Sequence, residues 1–226
     1  MARAQALRDG LDAVLAVALA PSCAGCGELL EHPTRGPVCD TCWRAVTAMP
    51  PPLVWITAAV DRAQAVGLYD GALRSIIHAL KYEGRRSLAA ALAERIRQRC
   101  ALALEGADLT VPVPLHGSRR RARGFNQALD LARGIGLPVA RALRRVRATA
   151  SQIDLPAAER HRNVRHAFAP ARRPWARRAV SGRIVVLVDD VSTTGATLDE
   201  CAHVLKAMGA DEVRAVTAAR AVMSRP

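Results

Sequence analysis

Two adjacent carboxylates, Asp189 and Asp190, stand between an apolar run and a loop rich in hydroxyl groups. The apolar run at 185–188 is typical of a buried strand, and the segment from Leu198 is typical of a helix. Backbone N–H groups at the start of a helix bind anions, and Gly195 lets the backbone approach such a ligand closely. The residue order predicts a phosphate site beside an acidic pair, which suits a sugar phosphate accompanied by Mg²⁺.

The segment 185–197 resembles the motif with which type I phosphoribosyltransferases bind 5-phosphoribosyl-1-pyrophosphate (PRPP) together with Mg²⁺. In that family the two acids hold the ribose hydroxyls, which makes Asp189 and Asp190 the candidate catalytic residues. The loop that wraps the 5′-phosphate corresponds to Ser192, Thr193, Thr194, Gly195, Ala196 and Thr197. Ser192 departs from the family pattern, which usually has an aliphatic residue at this position.

Three other interpretations of this segment explain it less well. A Walker B strand would accompany a G-x-x-x-x-G-K-[ST] loop, which the chain lacks. A receiver-type acidic pocket would not require the hydroxyl-rich residues at 192–197. An ordinary buried strand with a capped helix accounts for the elements, but not for a match at 13 positions with one departure.

Four of the six cysteines form two Cys-x-x-Cys pairs, Cys23 with Cys26 and Cys39 with Cys42, with 12 residues between the pairs. This spacing suits one structural Zn²⁺ held by four thiolates in a small zinc-ribbon-like knuckle. The alternative is two disulfides in a secreted protein. The two remaining cysteines lie within apolar helical patterns, which favours a reducing, cytoplasmic setting and therefore the metal site.

The net charge of +13 is concentrated in residues 119–178, which contain 16 arginines and three acids. Such a block favours a polyanionic partner, either nucleic acid or a pyrophosphate-bearing ligand. The alternative is a solvated basic surface, since the chain has 31 arginines and only two lysines. Phe125, Phe168 and Trp175 interleave with these arginines, where they would either stack the bases of single-stranded nucleic acid or anchor their loops to the core.

The first 20 residues also allow two interpretations. Arginines precede an apolar run ending in Ala-x-Ala, as in a signal peptide, although two aspartates interrupt the pattern. We favour an amphipathic helix over about 3–19 that packs on the protein, because its apolar residues share one face: Leu7, Leu11, Val14, Leu15 and Ala18. The chain has no apolar run of about 18 residues, so we expect no membrane insertion.

A proline-rich linker at 49–52 places a domain boundary between residues 1–49 and residues 50–226. Beyond the linker strands alternate with helices, which predicts an α/β domain with a mainly parallel sheet flanked by helices. Strands are predicted at 54–60, 63–69, 109–114, 184–188 and 213–219, the first two as an edge hairpin. Helices are predicted at 72–81, 87–104, 124–134 and 198–208; residues 137–146 are ambiguous, and 149–166 is predicted as a loop or mobile arm.

Four arginines form a loop after the strand predicted at 109–114, namely Arg119, Arg120, Arg121 and Arg123. In an open α/β sheet, ligands gather at the carboxyl ends of the strands, so this loop is expected to face the acidic pair. Arginines there would hold a pyrophosphate through forked, charge-assisted hydrogen bonds. His116 precedes them and is either a general base or a structural residue.

The arginine loop, Lys81, the segment 152–168 and the cysteine knuckle together resemble the ComF family, over about 23–219 of the chain. ComF proteins are cytoplasmic, phosphoribosyltransferase-like proteins linked to natural transformation. The resemblance implies PRPP binding that includes Lys81, Arg119, Arg120 and Arg123, and a hood at 152–168 that closes over PRPP. Lys81 alternatively complements the carboxyl-terminal dipole of its helix.

Two functions follow from this resemblance. In the first, the protein is a transferase of the glycosyltransferase type that moves the phosphoribosyl group of PRPP to an unknown acceptor. In the second, it is a single-stranded-DNA-binding competence protein in which the PRPP fold is a non-catalytic scaffold or sensor. Either function implies DNA uptake, with other DNA-uptake proteins as partners.

Overall fold

The computed structural model describes residues 2–49, 53–147 and 164–222 of the 226-residue chain. In chain order the strands are β1 (Leu53–Trp55), β2 (Arg62–Leu68), β3 (Leu109–Pro112), β4 (Leu143–Arg145), β5 (Phe168–Pro170), β6 (Ile184–Ser192) and β7 (Glu212–Arg220). The helices are α1 (Ala2–Leu19), α2 (Asp40–Thr47), α3 (Gly71–Tyr82), α4 (Leu88–Arg99), α5 (Ala101–Leu104), α6 (Gly117–Arg123), α7 (Gln127–Ile135), α8 (Trp175–Val180) and α9 (Ala196–Ala207).

The main sheet has five strands in the order β1-β2-β7-β6-β3, and all neighbours are parallel except the antiparallel edge pair β1–β2. β6 is flanked by strands on both sides, with Val188 beside Pro112 of β3 and beside Val216 of β7. The carboxyl ends of these three strands therefore meet at one edge of the sheet. The predicted α/β architecture, with a mostly parallel sheet and helices, is confirmed.

Both faces of the sheet are covered by apolar side chains. The β6 residues Val185, Val186, Leu187 and Val188 are all fully buried. Helices α3, α4 and α7 cover one face, whereas α8 and α9 cover the other. Since aromatic residues make up only 3% of the chain, the core is built mainly from alanine, valine and leucine.

Several predicted boundaries differ from the structure, and a long-range contact explains one of these differences. The strand predicted at 54–60 ends at Trp55, because Ala59 instead donates its N–H to Asp199 of α9 at 2.8 Å. The arginine loop is the helix α6, which Gly124 ends in a left-handed conformation (φ +78°). The helix predicted at 87–104 divides at Cys100 into α4 and α5, and the ambiguous segment contains the short strand β4. Residues 149–163 of the predicted arm lie outside the described residues.

Helix α1 is confirmed, but the packing predicted for it is wrong. Leu7, Leu11 and Val14 are 75%, 51% and 63% exposed, whereas Asp12 is 3% exposed. Asp12 Oδ1 accepts the N–H of Thr34 at 2.7 Å, so a polar side chain holds this helix against the cysteine segment. Among the described residues, no helix is both long enough and apolar enough to cross a membrane.

The cysteine segment packs on the sheet domain through α3 and two arginines. Cys42 and Val46 of α2 share one apolar cluster with Leu73 of α3. Arg99 donates to the carbonyl oxygens of Val66 at 2.9 Å and of Thr47 at 3.0 Å, and Arg85 donates to Ser22. The boundary at residue 49 remains a prediction, and Pro50 to Pro52 of the linker lie outside the described residues.

Candidate functional site

The acidic pair lies near the carboxyl end of β6, within the strand rather than after it. Because consecutive strand residues point to opposite faces, the two carboxylates lie in different surroundings. Asp190 forms an ion pair with Lys81 of α3, with 2.8 Å between Oδ1 and Nζ. Asp189 lies on the other side, where the charge of Arg145 on β4 reaches it. The backbone N–H of Asp190 donates to Asp189 Oδ1 at 2.9 Å.

These surroundings shift the pKa values of Asp189 and Lys81. Burial raises the pKa of Asp189 to about 7, and the negative charge of Asp190 acts in the same direction. Burial by itself would lower the pKa of Lys81, but the charges of Asp190 and Asp189 outweigh it and raise the pKa above its usual value. The site therefore holds a fixed ion pair beside a carboxyl group that titrates near neutral pH.

The candidate phosphate loop runs from the end of β6 into the first turn of α9. Ser192 is the last residue of β6, and Gly195 precedes α9 with φ +86°, a left-handed conformation that glycine adopts without strain. Ser192 Oγ and Thr193 Oγ1 are buried, and neither has a hydrogen-bond partner in the described structure. Buried hydroxyls are normally hydrogen-bonded, so these two fit a ligand that carries acceptor oxygens, such as a phosphate.

Trp55 and Arg220 also border this loop, and neither residue was predicted to belong to the site. A Cβ atom on Gly195 would lie 3.9 Å from Nε1 of Trp55, and this indole nitrogen is buried without a partner in the described residues. The Arg220 guanidinium lies 4.2 Å from the centroid of the Trp55 ring. Arg220 ends β7 directly beside Ser192, and burial lowers its pKa. A basic residue after the last predicted strand was the only available signal.

The loop that brings Trp55 to this position is held by α9. Asp199 in the first turn of α9 accepts hydrogen bonds from Thr57 Oγ1 and from the N–H of Ala59. Thr57 in turn packs so closely on Gly195 that a Cβ atom there would lie 3.0 Å from Thr57 Cγ2. The connection between β1 and β2 thus forms one wall of the candidate phosphate site.

The predicted arginines lie on α6, a helix with no buried residue. The positive charge of Arg119 reaches Arg145, whose pKa is lowered first by burial and then by Arg119. Arg120 is exposed, whereas the guanidinium of Arg123 stacks 5.1 Å from the ring centroid of Tyr82. Arg119 is therefore the member of this group that the structure brings into electrostatic contact with the surroundings of Asp189.

His116 and the interleaved aromatic residues mainly have structural contacts. Nδ1 of His116 caps α6 by accepting the N–H of Ser118 at 3.4 Å. Phe125 and Phe168 are only 9% and 5% exposed, and Trp175 is 43% exposed. The two phenylalanines thus anchor their segments to the core, and Trp175 is the one exposed ring of the three.

The four cysteines of the two pairs form one cluster. The Sγ atoms of Cys23, Cys26, Cys39 and Cys42 all lie within 4.8 Å of one another, and none of the chain's cysteines forms a disulfide. Tetrahedral coordination with Zn–S bonds of about 2.3 Å places sulfur atoms about 3.8 Å apart. The distance between Sγ of Cys26 and Sγ of Cys39 is 3.9 Å, so the cluster fits a metal ion of this kind.

Backbone geometry supports one of these sulfur atoms, that of Cys23, as a thiolate, whereas burial and the neighbouring cysteines raise the pKa of Cys42. Cys23 Sγ accepts N–H groups from Gly25 at 3.3 Å and from Cys39 at 3.2 Å. Burial raises the pKa of Cys23, but these N–H donors outweigh it and lower the pKa to about 6. Gly25 is required sterically, because a Cβ atom there would lie 2.6 Å from Sγ of Cys42.

Comparisons with known proteins agree with this site. The family model described as "Phosphoribosyl transferase domain" matches residues 88–225, which include β6, the acidic pair and the candidate phosphate loop. The DNA utilization protein YhgH of Salmonella typhimurium is 35% identical over 202 residues, covering 85% of this chain and 81% of the relative. Competence protein F of Haemophilus influenzae is 30% identical over 211 residues, covering 89% of this chain and 85% of that relative.

Two solved structures are similar to this chain, with low TM-scores. The allosteric regulatory enzyme of purine biosynthesis is 21% identical with a TM-score of 0.40, covering 63% of this chain and 30% of that chain. A purine phosphoribosyltransferase from Pyrococcus horikoshii is 18% identical with a TM-score of 0.33, covering 63% of this chain and 92% of that chain. Family membership rests on the sequence matches instead: the chain belongs to the ComF/YhgH family and carries a phosphoribosyl transferase domain.

Proposed function

We propose that the protein binds PRPP with Mg²⁺ and transfers the phosphoribosyl group to an acceptor. The observation that carries this proposal is the pair of buried, unpartnered hydroxyls, Ser192 Oγ and Thr193 Oγ1. They follow the second carboxylate, Asp190, by two and three residues. A phosphate ester on a sugar with free hydroxyls satisfies both groups at once. Membership in a phosphoribosyl transferase domain family supports the same ligand.

In this proposal the 5′-phosphate lies in the loop formed by Ser192, Thr193, Thr194, Gly195, Ala196 and Thr197. The first turn of α9 contributes backbone N–H groups and its dipole, which favour an anion. Asp189 and Asp190 accept hydrogen bonds from the ribose hydroxyls. Lys81 holds Asp190 in place through their 2.8 Å contact and offsets its charge, which reduces repulsion of the phosphate.

The reaction forms a bond between the nucleophile of the acceptor and C1 of the ribose. The bond from C1 to pyrophosphate breaks, and its electron pair leaves with the pyrophosphate through an oxocarbenium-like state. Arg119, Arg120 and Arg123 stabilise the charge that develops on the leaving group. Mg²⁺, when bound, neutralises part of the same charge. The acidic pair fixes the ribose so that the reacting atoms remain aligned.

We further propose that the four-cysteine cluster binds one structural Zn²⁺. The sulfur separations and N–H donors described above support tetrahedral thiolate coordination. With four protein ligands such a site is closed to substrate, so the ion stabilises the fold and has no part in transfer. Thiolate coordination requires reduced cysteines, which supports a cytoplasmic location.

Calorimetric titration with Mg·PRPP tests the main proposal. The double variant Asp189→Asn with Asp190→Asn removes the charge-assisted contacts, typically about 1.5–3 kcal/mol for one such bond, so we expect affinity to fall at least about tenfold. Asp211→Asn, at an exposed position outside the site, is the matched control and should bind as wild type does. Equal affinity in the double variant would show that the site is assigned wrongly.

A second candidate function is binding of single-stranded DNA by the basic stretch, with the PRPP fold as a scaffold or sensor. The exposed basic helix α6 supports it, as do relatives named Competence protein F and DNA utilization protein. In this function the protein acts in DNA uptake alongside other uptake proteins.

The salt dependence of binding to an oligo-dT tests this second function. Each neutralised phosphate contributes about −0.7 to the slope of log affinity against log salt concentration. Replacing Arg119, Arg120, Arg121 and Arg123 with alanine should flatten the slope and weaken binding to all sequences alike. Binding that is insensitive to salt, or absent at about 50 mM salt, would leave the basic stretch as solvated surface.

A further inference from the structure

A basic cavity of about 450 Å³ opens between α6, α7 and β4, beside the candidate PRPP site. Its volume lies in the range typical of small-molecule sites. Six arginines from separate parts of the chain line it: Arg86, Arg120, Arg133, Arg141, Arg144 and Arg145. A cavity of this size with so many guanidinium groups favours an anionic ligand.

The acid that lines the cavity does not balance this charge. Asp130 accepts two hydrogen bonds from Arg86, at 2.9 and 3.0 Å, and lies 3.7 Å from Arg133. Neither Arg120 nor Arg141 forms an ion pair with any acid in the described residues, and both are exposed. The cavity therefore has a net positive charge that the protein itself leaves uncompensated.

The cavity adjoins the acidic pair through two elements. Arg145 lines the cavity, and its charge reaches Asp189. Pro112 also lines it, at the end of β3, and pairs in register with Val188, the residue before Asp189. A molecule held by the arginines would thus border the position where the ribose of PRPP is proposed to lie.

We propose that this cavity binds a phosphate group of the acceptor, so that the second substrate is a phosphate-bearing molecule and not an uncharged base. The inference rests on the proposed function, which leaves the acceptor open. Guanidinium groups match the geometry of phosphate through paired hydrogen bonds. Arg120 lies on α6, to which the pyrophosphate of PRPP is assigned, whereas Arg141 precedes β4 and Arg144 lies within it. Arg144 donates through Nε to the carbonyl oxygen of Pro170 at 3.0 Å, so its two terminal nitrogens and the guanidinium of Arg141 are available to a second anion.

Titration of inorganic phosphate into protein saturated with Mg·PRPP tests this inference. We expect phosphate to bind without displacing PRPP. Arg141→Ala should weaken phosphate binding about tenfold or more, the usual effect of losing one charge-assisted bond, and Arg141→Lys should restore part of it. Arg178→Ala, which removes the same charge from an exposed position outside the cavity, should bind phosphate as wild type does. AMP should bind more tightly than adenosine, with the same dependence on Arg141.

Three results would overturn the inference: phosphate affinity unchanged in Arg141→Ala, mutual displacement of phosphate and PRPP, or equal binding of AMP and adenosine. Mutual displacement would identify the cavity as the pyrophosphate site of PRPP itself. Failure of the proposed function has a different signature, because wild-type protein would then bind no Mg·PRPP at all. Phosphate binding that depends on Arg141 in such a protein would leave an anion site without an acceptor role, and so would also overturn the inference.

Discussion

Asp189 and Asp190 are neighbours in sequence but differ in their electrostatic roles. Asp190 is paired with Lys81, so its negative charge is fixed in place. Asp189 is buried next to that charge, which with burial raises its pKa to about 7. The pair thus carries less negative charge than two free carboxylates would, and this limits its repulsion of a phosphorylated ligand.

We expect the affinity for Mg·PRPP to increase as pH rises through about 7, because the ionised carboxylate of Asp189 accepts stronger, charge-assisted hydrogen bonds from the ribose hydroxyls than the protonated carboxyl group does. Calorimetry between about pH 6 and about pH 8, in buffers of different ionisation enthalpy, measures both affinity and proton release. Asp189→Asn should remove the component due to this carboxyl and leave the part that comes from the ligand's own phosphates. An identical pH profile in wild type and variant would exclude Asp189 as the titrating group.

The same shift affects stability in the absence of ligand. The native pKa of Asp189 lies above the unfolded value of 3.8, so the native state binds the proton more tightly. This carboxyl therefore contributes stability that is present below about pH 4 and is lost as pH rises to about 7. Asp189→Asn should reduce that loss in the free energy of unfolding, measured by denaturant titration at several pH values.

Arg220 and Trp55 border the candidate phosphate loop, and we expect both to contribute to the affinity for Mg·PRPP. Arg220→Ala removes a half-buried guanidinium beside Ser192, and we expect at least about tenfold weaker binding of Mg·PRPP. Trp55→Phe keeps an aromatic ring for Arg220 but removes the unpartnered N–H, so a smaller loss is expected. Arg183→Ala is the control, because Arg183 is exposed and immediately precedes β6, at the opposite end of the strand from the loop. Unchanged affinity in both variants would confine the phosphate site to the loop itself.

Among the elements, the cysteine knuckle depends most clearly on one small residue. Gly25→Ala places a Cβ atom 2.6 Å from Sγ of Cys42, so the cluster must distort. We expect wild-type protein, purified without a histidine tag, to contain one zinc ion per chain by metal analysis, and Gly25→Ala to contain clearly less. Gly10→Ala has open space around it and should retain the full content. Zinc near zero in reduced wild-type protein would contradict the metal assignment.

Elements set by local sequence were predictable, and elements set by distant contacts were not. The strand, acidic pair and helix from Ile184 to Ala207 follow from apolar periodicity and a glycine at the turn. The position of Trp55 depends on Asp199, which pulls the β1–β2 connection onto α9, and no local pattern contains that information. The exposure of Leu11 was unpredictable for the same reason, because a contact between residues distant in the sequence, Asp12 and Thr34, buries Asp12 instead.

At the scale of the whole molecule, the cysteine knuckle and the sheet domain are predicted to unfold separately. If residues 1–49 form a separate unit, chelation of zinc should unfold mainly that part, since a small knuckle takes its folding energy from the metal. Hydrogen exchange after chelation measures this directly: α2 should lose protection, and β6 should keep it. The apolar cluster that α2 shares with α3 could couple the two parts. Simultaneous loss of protection in α2 and β6 would show such coupling and would contradict the boundary.

In the proposed complex, PRPP lies at the carboxyl end of β6. A crystal structure of the protein with Mg·PRPP tests this most directly. We expect the 5′-phosphate to contact Ser192 Oγ, Thr193 Oγ1 and the first N–H groups of α9, and the ribose hydroxyls to contact Asp189 and Asp190. PRPP bound elsewhere on the chain, or a loop that stays empty at saturating ligand, would contradict it.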